Sequence, residues 1–469
     1  MAGGGVKQST AGAPVEGPWA LPEGWHWERL ETVGRWGSGG TPNIKTPRYY
    51  GGDIPWFRSG ELRDRPLADP EIKITEEGLQ GSSAKLIAPG AVLVAMYGAT
   101  VGKLAISTRV CATNQAIAFC IPDPEMITAR YLFFYLLSIR RHLRDQAQGG
   151  AQPNISQSLL KEQIIPVPPV ARQALIVARI DELFAEVDDG EAALTRARDD
   201  LATWRKALLK AAVTGELTAD WRAANATTET GAELLARILA DRRSWWAAEP
   251  KNKGKRYKEP LATDGDALAA IPAGWTWATA EQIVRQAEYG TSIKCHETPS
   301  GPPVLRMGNI QDGGLDWRKL KYAPAGSPLP LLKAGDVLFN RTNSAELLGK
   351  SAVFDGSDGP ASFASYIVAV RLAGMLPHYF SAWMNSIYGR QWIAQNKSQQ
   401  VGQANLSAGT LMRMEIPVPP IAEQQRIVDL IVADRALDDA LGGDLRELAQ
   451  AGSTLRQSIL AAAFRGDLA

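Results

Sequence analysis

The chain has 469 residues, 45% of them hydrophobic and 22% charged, and a net charge of +1. This is the composition of an ordinary soluble protein long enough for more than one core. The charge balance excludes a uniformly basic nucleic-acid binder, though not a local basic surface.

The first 18 residues are small and polar and are expected to form a disordered tail. Leu21-Pro22-Glu23-Gly24-Trp25-His26-Trp27 opens the first patterned stretch. Short, alternating, turn-bounded runs follow, including Pro55 to Leu62 and Val92-Leu93-Val94, and read as strands. Arg130 to Arg144 reads as one helix. Ile165-Pro166-Val167-Pro168-Pro169 comes next. Its prolines cannot continue a helix or donate to a sheet, so a stiff extended connector is expected.

Behind it, Ile180, Val187, Leu194, Leu201 and Leu208 recur every seven residues, with Leu183, Ala197, Trp204 and Ala211 three further on. This is the seam of a coiled coil about 60 Å long at 1.5 Å per residue. Gly190 marks an expected bend or interruption. A linker from Thr218 to Ala270 holds an Arg-bearing helix around Glu233 to Trp246 and a basic run, Lys251 to Lys258. That run reads as a solvated linker or as a phosphate-contacting arm.

The frame then repeats. Ile416-Pro417-Val418-Pro419-Pro420 stands 251 positions after the first proline segment. Asn154-Ile155-Ser156 is answered by Asn405-Leu406-Ser407, Gln173 by Gln424, and Gly215-Glu216-Leu217 by Gly466-Asp467-Leu468. Upstream, Trp25 and Trp27 answer Trp275 and Trp277, Arg58 answers Arg306, and Gly102-Lys103 answers Gly349-Lys350. Leu376 to Gln395 reads as the second helix, and Leu441, Leu448, Leu455 and Ala462 as the second seam, with Gly442-Gly443 as its break point. One nearly constant offset over so many residues marks an internal duplication. The predicted architecture is α+β: two mixed α/β domains in pseudo-twofold repeat, separated by two long antiparallel coiled-coil helices. The boundaries are 1–18 tail, 19–168 first domain, 169–270 central helical region and linker, 271–419 second domain and 420–469 C-terminal helix.

No catalytic constellation is present. Gly98 to Lys103 has three residues between its glycines and Leu104 where Ser or Thr is needed, Gly349-Lys350-Ser351 has Ser344 at the leading glycine position of a phosphate loop, and Gly37-Ser38-Gly39-Gly40 lacks the helix of a dinucleotide fingerprint. Four scattered histidines and three cysteines (Cys111, Cys120, Cys295) give no triad or metal set. The cysteines read as reduced thiols of a cytoplasmic protein, and no apolar run reaches membrane-spanning length. No cofactor or metal is expected.

What recurs is a set of Gly-, Gln-, Asn- and Lys/Arg-bearing loops. Amides can read adenine, and Arg or Lys can read guanine or contact phosphate. The candidate DNA-contacting residues of the first half are Thr41, Arg58, Tyr97, Thr100, Lys103, Gln148, Gln152 and Asn154. Those of the second are Arg306, Asn309, Arg341, Asn343, Lys350, Gln399, Gln403 and Asn405. For Asn154 and Asn405 the alternative is a helix-capping loop, and for Arg58 and Arg306 a buried arginine in each domain. Tyr97-Gly98-Ala99-Thr100 and Arg341-Thr342-Asn343-Ser344 correspond in place and differ in chemistry, as two readers of different half-sites would, or as ordinary loop drift would.

The order of these parts, the Gly-Trp-x-Trp openings, the Gly39-Gly40-Thr41-Pro42 turn, the Asn-(Ile/Leu)-Ser segments and the Thr214-Gly215-Glu216-Leu217 helix end resemble the specificity subunits of type I restriction–modification systems. The second turn, Tyr289-Gly290-Thr291-Ser292, lacks the Thr-Pro. The resemblance implies two target recognition domains, each reading half of a split site in double-stranded DNA. It implies two methyltransferase subunits and restriction/translocase subunits as partners. The adenine methyltransferase and endonuclease activities, with S-adenosylmethionine and ATP, would belong to those partners. An adaptor for a methyltransferase alone, or a coiled-coil scaffold that binds protein, are the other readings.

Overall fold

The computed structural model describes residues 15–147, 154–226, 228–264, 268–400 and 403–468. The chain divides into two compact units: Met1–Thr195 with Leu445–Ala469, and Arg196–Asp444.

The first unit is built on a five-stranded sheet in the order Gly34–Ser38, Ile117–Pro122, Val92–Ala95, Leu104–Ile106, Arg65–Pro66. The Val92–Ala95 strand is buried on both faces. Its period of two sends Val92 and Val94 into one apolar cluster with Tyr131, Leu132, Ile176, Ile180 and Phe464, and Leu93 and Ala95 into a second with Phe57, Ile87 and Phe119. A three-stranded sheet (Ile72–Ile74, Tyr50–Phe57, Ala112–Thr113) extends the domain.

The second unit carries a four-stranded sheet in the order Val284–Tyr289, Ile367–Leu372, Asp336–Asn340, Ser351–Phe354. Again Val337 and Phe339 enter the cluster that holds Tyr379, Phe380, Trp383 and Ile427, and Leu338 enters the opposite one with Leu305 and Phe363.

The proline segments are more than connectors. Ile164–Val167 pairs antiparallel with His26–Arg29, Pro166 opposite Trp27, and Glu415–Val418 pairs with Thr276–Thr279, Pro417 opposite Trp277. In a two-stranded ladder every second N–H faces outward, so a proline is tolerated there. Its carbonyl is used: the Tyr131 hydroxyl donates to Pro166 O at 2.8 Å. Each of the helices read as single is two: Ala129–Ser138 with Arg140–Asp145, and Pro377–Asn385 with Ile387–Asn396. Ser386 breaks the second by capping the Gly389 N–H with its own hydroxyl.

The long helices run Val170–Thr214 and Ile421–Arg465, 45 residues each, without the interruption expected at Gly190 or Gly442-Gly443. A helical glycine costs about 1 kcal/mol, which the flanking turns absorb. Gly215 and Gly466, both at positive φ, end them, and each packs on a proline that opens an α/β domain, Pro272 and Pro22 respectively. The repeated glutamines tie helix to domain. Gln173 accepts from Thr128 N at 2.8 Å, and Gln424 from Leu376 N at 2.9 Å.

Within the first unit the two helix segments pack together, Arg456 beside Asp188 and Glu191, and Gly452 beside Glu191. In the second, Trp204 donates to Asp434 at 2.9 Å while Ala212 and Val213 share a cluster with Ile427 and Val428. Of the expected seam positions, Ile180 and Val187 are buried, Leu183, Leu194, Leu201, Leu208, Ala211 and Ala462 are half-buried, and Ala197 is exposed. Trp204, Leu448 and Leu455 are half exposed, and Leu441 also faces outward. Burial follows the face turned to the α/β core, where Ile459, Leu460, Ala463 and Phe464 lie, and an ideal helix drifts off a strict heptad.

The expected tail is already tied down at Val15, which bridges Trp27. Trp27 Nε1 donates to Trp19 O at 3.3 Å, as Trp277 Nε1 donates to Ala269 O at 3.1 Å. The basic run is anchored too: Tyr257 lies edge-on to Trp246 and under the Arg243 guanidinium.

Candidate nucleic-acid interface

In the second unit four of the expected residues meet on one small sheet, in the order Thr342–Asn343, Gln403–Asn405, Ser398–Gln400. Asn343 stands opposite Ala404, Thr342 opposite Asn405, and Gln399 opposite Ala404. The Thr342 hydroxyl donates to Asn405 Oδ1 at 2.6 Å, which fixes that amide. Ser407, not Asn405, caps the following helix. Arg341 flanks the sheet. Its guanidinium lies 5.1 Å from the Tyr289 ring centre, and its Nε is buried without a partner. Tyr289 and Tyr366 are both about half exposed.

The first unit repeats the backbone frame with other side chains. Tyr97 bridges Asn154, and Ile155 N donates to Met96 O at 2.9 Å, as Leu406 N donates to Arg341 O at 2.8 Å. Tyr97 is exposed, and Thr100 Oγ1 donates back to Tyr97 O at 3.3 Å. Ser156 caps the next helix, so Asn154 is not the cap. Gln148, Gln152 and the side chain of Gln399 lie outside the described residues.

The Gly39–Pro42 turn is held by Gly39 N to Ile117 O and Gly40 N to Thr113 O, and Trp56 Nε1 donates to Gly40 O at 3.0 Å. Thr41 is exposed and donates to Gln115 Oε1. The second turn keeps the frame without the Thr-Pro: Gly290 N bonds Ile367 O and Thr291 N bonds Phe363 O.

Arg58 and Arg306 open equivalent single turns. Glu61 accepts from Arg58 N at 2.7 Å, and Asn309 Oδ1 accepts from Arg306 N at 2.9 Å. Arg58 is exposed and ion-paired to Glu71, which overturns the buried-arginine alternative there. Arg306 is half-buried, its Nε unpartnered. Asn309 needs correcting as a contact residue. It is buried, and its amide is spent on Arg306 N and on Asp316 O at 2.7 Å.

The sequence reading missed the residues that hold the Gly-Lys loops. Arg144 Nε donates to Val101 O at 2.9 Å, and Arg390 donates to the carbonyls of Leu348 and Glu346. Arg140 Nε donates to Gly102 O at 2.7 Å and its guanidinium grips Asp64, which also receives Lys103 Nζ at 2.7 Å. Burial raises the Asp64 pKa, but Lys103, Arg140 and the Leu104 amide together bring it below the usual carboxylate value. Burial lowers that of Arg390. The signal was in the repeat: Arg144 and Arg390 are 246 positions apart, and Asp64 and Asp312 are 248 apart, within the drift of the other pairs. Among the described residues no group of acidic, His or Cys side chains is arranged to hold a metal, and no helix is long and apolar enough to cross a membrane.

The two units thus share a mixed α/β fold, long helices and exposed amide-, tyrosine- and arginine-bearing loops. Residues 22–194 match the family described as "Type I restriction modification DNA specificity domain". Over nearly its whole length the chain is similar to specificity subunits of type I restriction–modification systems. It is 24% identical to the EcoKI specificity subunit of Escherichia coli K12 over 462 residues, 96% of this chain and 90% of that one. It is 24% identical to the StySPI specificity subunit of Salmonella potsdam over 463 residues, again 96% and 90%. The fold is shared with a solved chain of a type I restriction–modification system, at a TM-score of 0.66 and 18% identity over 96% of this chain and 100% of that one. It is also shared with the HsdS subunit from Thermoanaerobacter tengcongensis, at a TM-score of 0.52 and 18% identity, covering 96% and 99%.

Proposed function

We propose that this chain is the DNA-recognition subunit of a cytoplasmic type I restriction–modification complex and itself catalyses no reaction. Residues 19–168 and 271–419 act as two target recognition domains, arising by duplication, each reading one half of a bipartite site. The long helices act as an antiparallel spacer and as the platform for two methyltransferase subunits and the restriction/translocase subunits. The observation that carries this reading is one frame with two chemistries. The Tyr97–Asn154 and Thr342–Asn405 pairings sit on equivalent backbone hydrogen bonds, yet one presents Tyr97 and Thr100 and the other Arg341 and Asn343. Two different sequence readers need just that: fixed scaffolding and different donor and acceptor groups.

The test is methylome sequencing of cells that express the chain with its methyltransferase partner. Exchanging residues 19–168 for the first domain of another specificity subunit should change one half of the methylated motif. A change in both halves together would contradict modular reading. An adaptor for a methyltransferase alone would give the same methylome without restriction of unmodified DNA. A protein-binding scaffold would give no motif and no salt-sensitive DNA binding.

A further inference from the structure

The two Gly-Lys loops are built from equivalent residues and differ in what neutralises the lysine. In the first unit Asp64, at φ 59°, turns its carboxylate into the loop. It takes Lys103 Nζ at 2.7 Å on Oδ2, the Arg140 guanidinium on both oxygens, and Leu104 N at 3.0 Å on Oδ1. Two cations and one anion are thereby locked together, with the Asp64 and Arg140 side chains mostly buried. In the second unit Asp312 keeps the left-handed backbone, at φ 47°, but is exposed and forms no ion pair among the described residues. The position corresponding to Arg140 is Ser386, which caps its helix instead. Lys350 Nζ has the neutral Gln311 Oε1 as its partner, at 3.5 Å.

We propose that Lys350 is a phosphate-contacting cation of the second reading surface, whereas Lys103 is a positioning residue, held within the first unit by the Asp64 carboxylate that it shares with Arg140. The proposal rests on the DNA-binding reading above and adds an inequality between the two halves. A lysine whose charge is engaged by a carboxylate of its own domain neutralises no phosphate and so releases no condensed counterion from DNA. To reach a phosphate, Lys103 would exchange one anion for another and leave Asp64 facing the backbone. Among the described residues Lys350 has no anion to surrender. The salt-dependent part of binding therefore comes disproportionately from the second surface.

The experiment uses the full-length chain assembled with its methyltransferase partner and a duplex of mixed sequence. Affinity is measured against salt concentration for the wild type, Lys350→Ala, Lys103→Ala and Asp64→Asn, with circular dichroism and melting as folding controls. Lys350→Ala should flatten the slope of log K against log salt by about 0.9, the share of one phosphate contact. Lys103→Ala should leave the slope unchanged. Asp64→Asn should steepen it, because Asn tolerates the left-handed backbone and still accepts from Leu104 N while releasing Lys103 and Arg140. If Lys103→Ala misfolds, Asp64→Asn decides. Equal flattening by the two lysine variants, an unchanged slope for Lys350→Ala, or an unchanged slope for Asp64→Asn would overturn the proposal. A wild-type complex with no salt-dependent DNA binding would instead overturn the DNA-binding reading on which it rests.

Discussion

Glu423 accepts a hydrogen bond from the indole nitrogen of Trp275 at 2.8 Å, and its carboxylate is wholly buried. The other carboxylate oxygen takes the Thr218 hydroxyl at 2.7 Å and the Arg222 guanidinium. One buried charge thus joins the start of the second long helix, the segment after the first, and the opening Trp of the second domain. The corresponding position in the first unit is Arg172, which is exposed.

Glu423→Ala should therefore destabilise the second unit by about 3 kcal/mol or more, since it strands a partly buried guanidinium and leaves an indole N–H unpaired. Glu423→Gln keeps one acceptor and should cost less. Chemical denaturation followed by tryptophan fluorescence measures both. Equal losses for Ala and Gln would show that volume, not hydrogen bonding, matters there.

Removing the Arg390 clamp should loosen the Glu346–Lys350 loop while the domain stays folded. Arg390→Ala leaves the buried Leu348 carbonyl unpaired, a local cost of about 1–3 kcal/mol. In the methylome, recognition of one half-site should weaken and the other should persist. Arg390→Lys, which restores one donor, should rescue part of the loss.

Asp64 gives the first unit an acid-sensitive element. Its folded-state pKa is depressed, so the stability it contributes is complete above the unfolded carboxyl value of about 3.9 and is lost as pH falls through the lower folded value. Asp64→Asn should start less stable at neutral pH and fall less steeply on acidification. Parallel stability curves for variant and wild type between neutral and acidic pH would contradict this.

If the long helices set the distance between half-sites, inserting four residues near Leu208 adds roughly 6 Å of helix. At about 3.4 Å per base pair, the gap in the methylated motif should grow by about two base pairs with both half-sites unchanged. Slippage of the helix packing would instead abolish activity. An active variant that keeps the original gap would show that these helices are not the ruler.

Much of the fold was legible because the chain states it twice. The alternation in Val92-Leu93-Val94 and Val337-Leu338-Phe339 identified central strands, and the shared offset matched the Tyr97 loop to the Arg341 loop one residue out of register, since the equivalent backbone bonds align Met96 with Arg341 and Tyr97 with Thr342. The heptads were less informative. Leu441, Leu448 and Leu455 have the right spacing and the wrong surroundings, because periodicity defines a face without saying what the face meets. Asn309 looked like a contact residue because an exposed amide and a turn-holding amide are the same letter.

Sequence alone determined the central strands, the presence and glycine ends of the two long helices, and the correspondence of the repeated loops to within a residue. Those properties depend on local propensity and period, which a few neighbouring residues set. Only the tertiary structure decided which polar groups remain free. Lys103 and Lys350 follow the same glycine in the same loop, but Lys103 meets a carboxylate from 39 residues away and Lys350 meets a neutral amide. Charge and hydrogen-bonding capacity are spent between residues distant in the chain, and that expenditure is fixed only when the fold brings them within a few ångströms of each other.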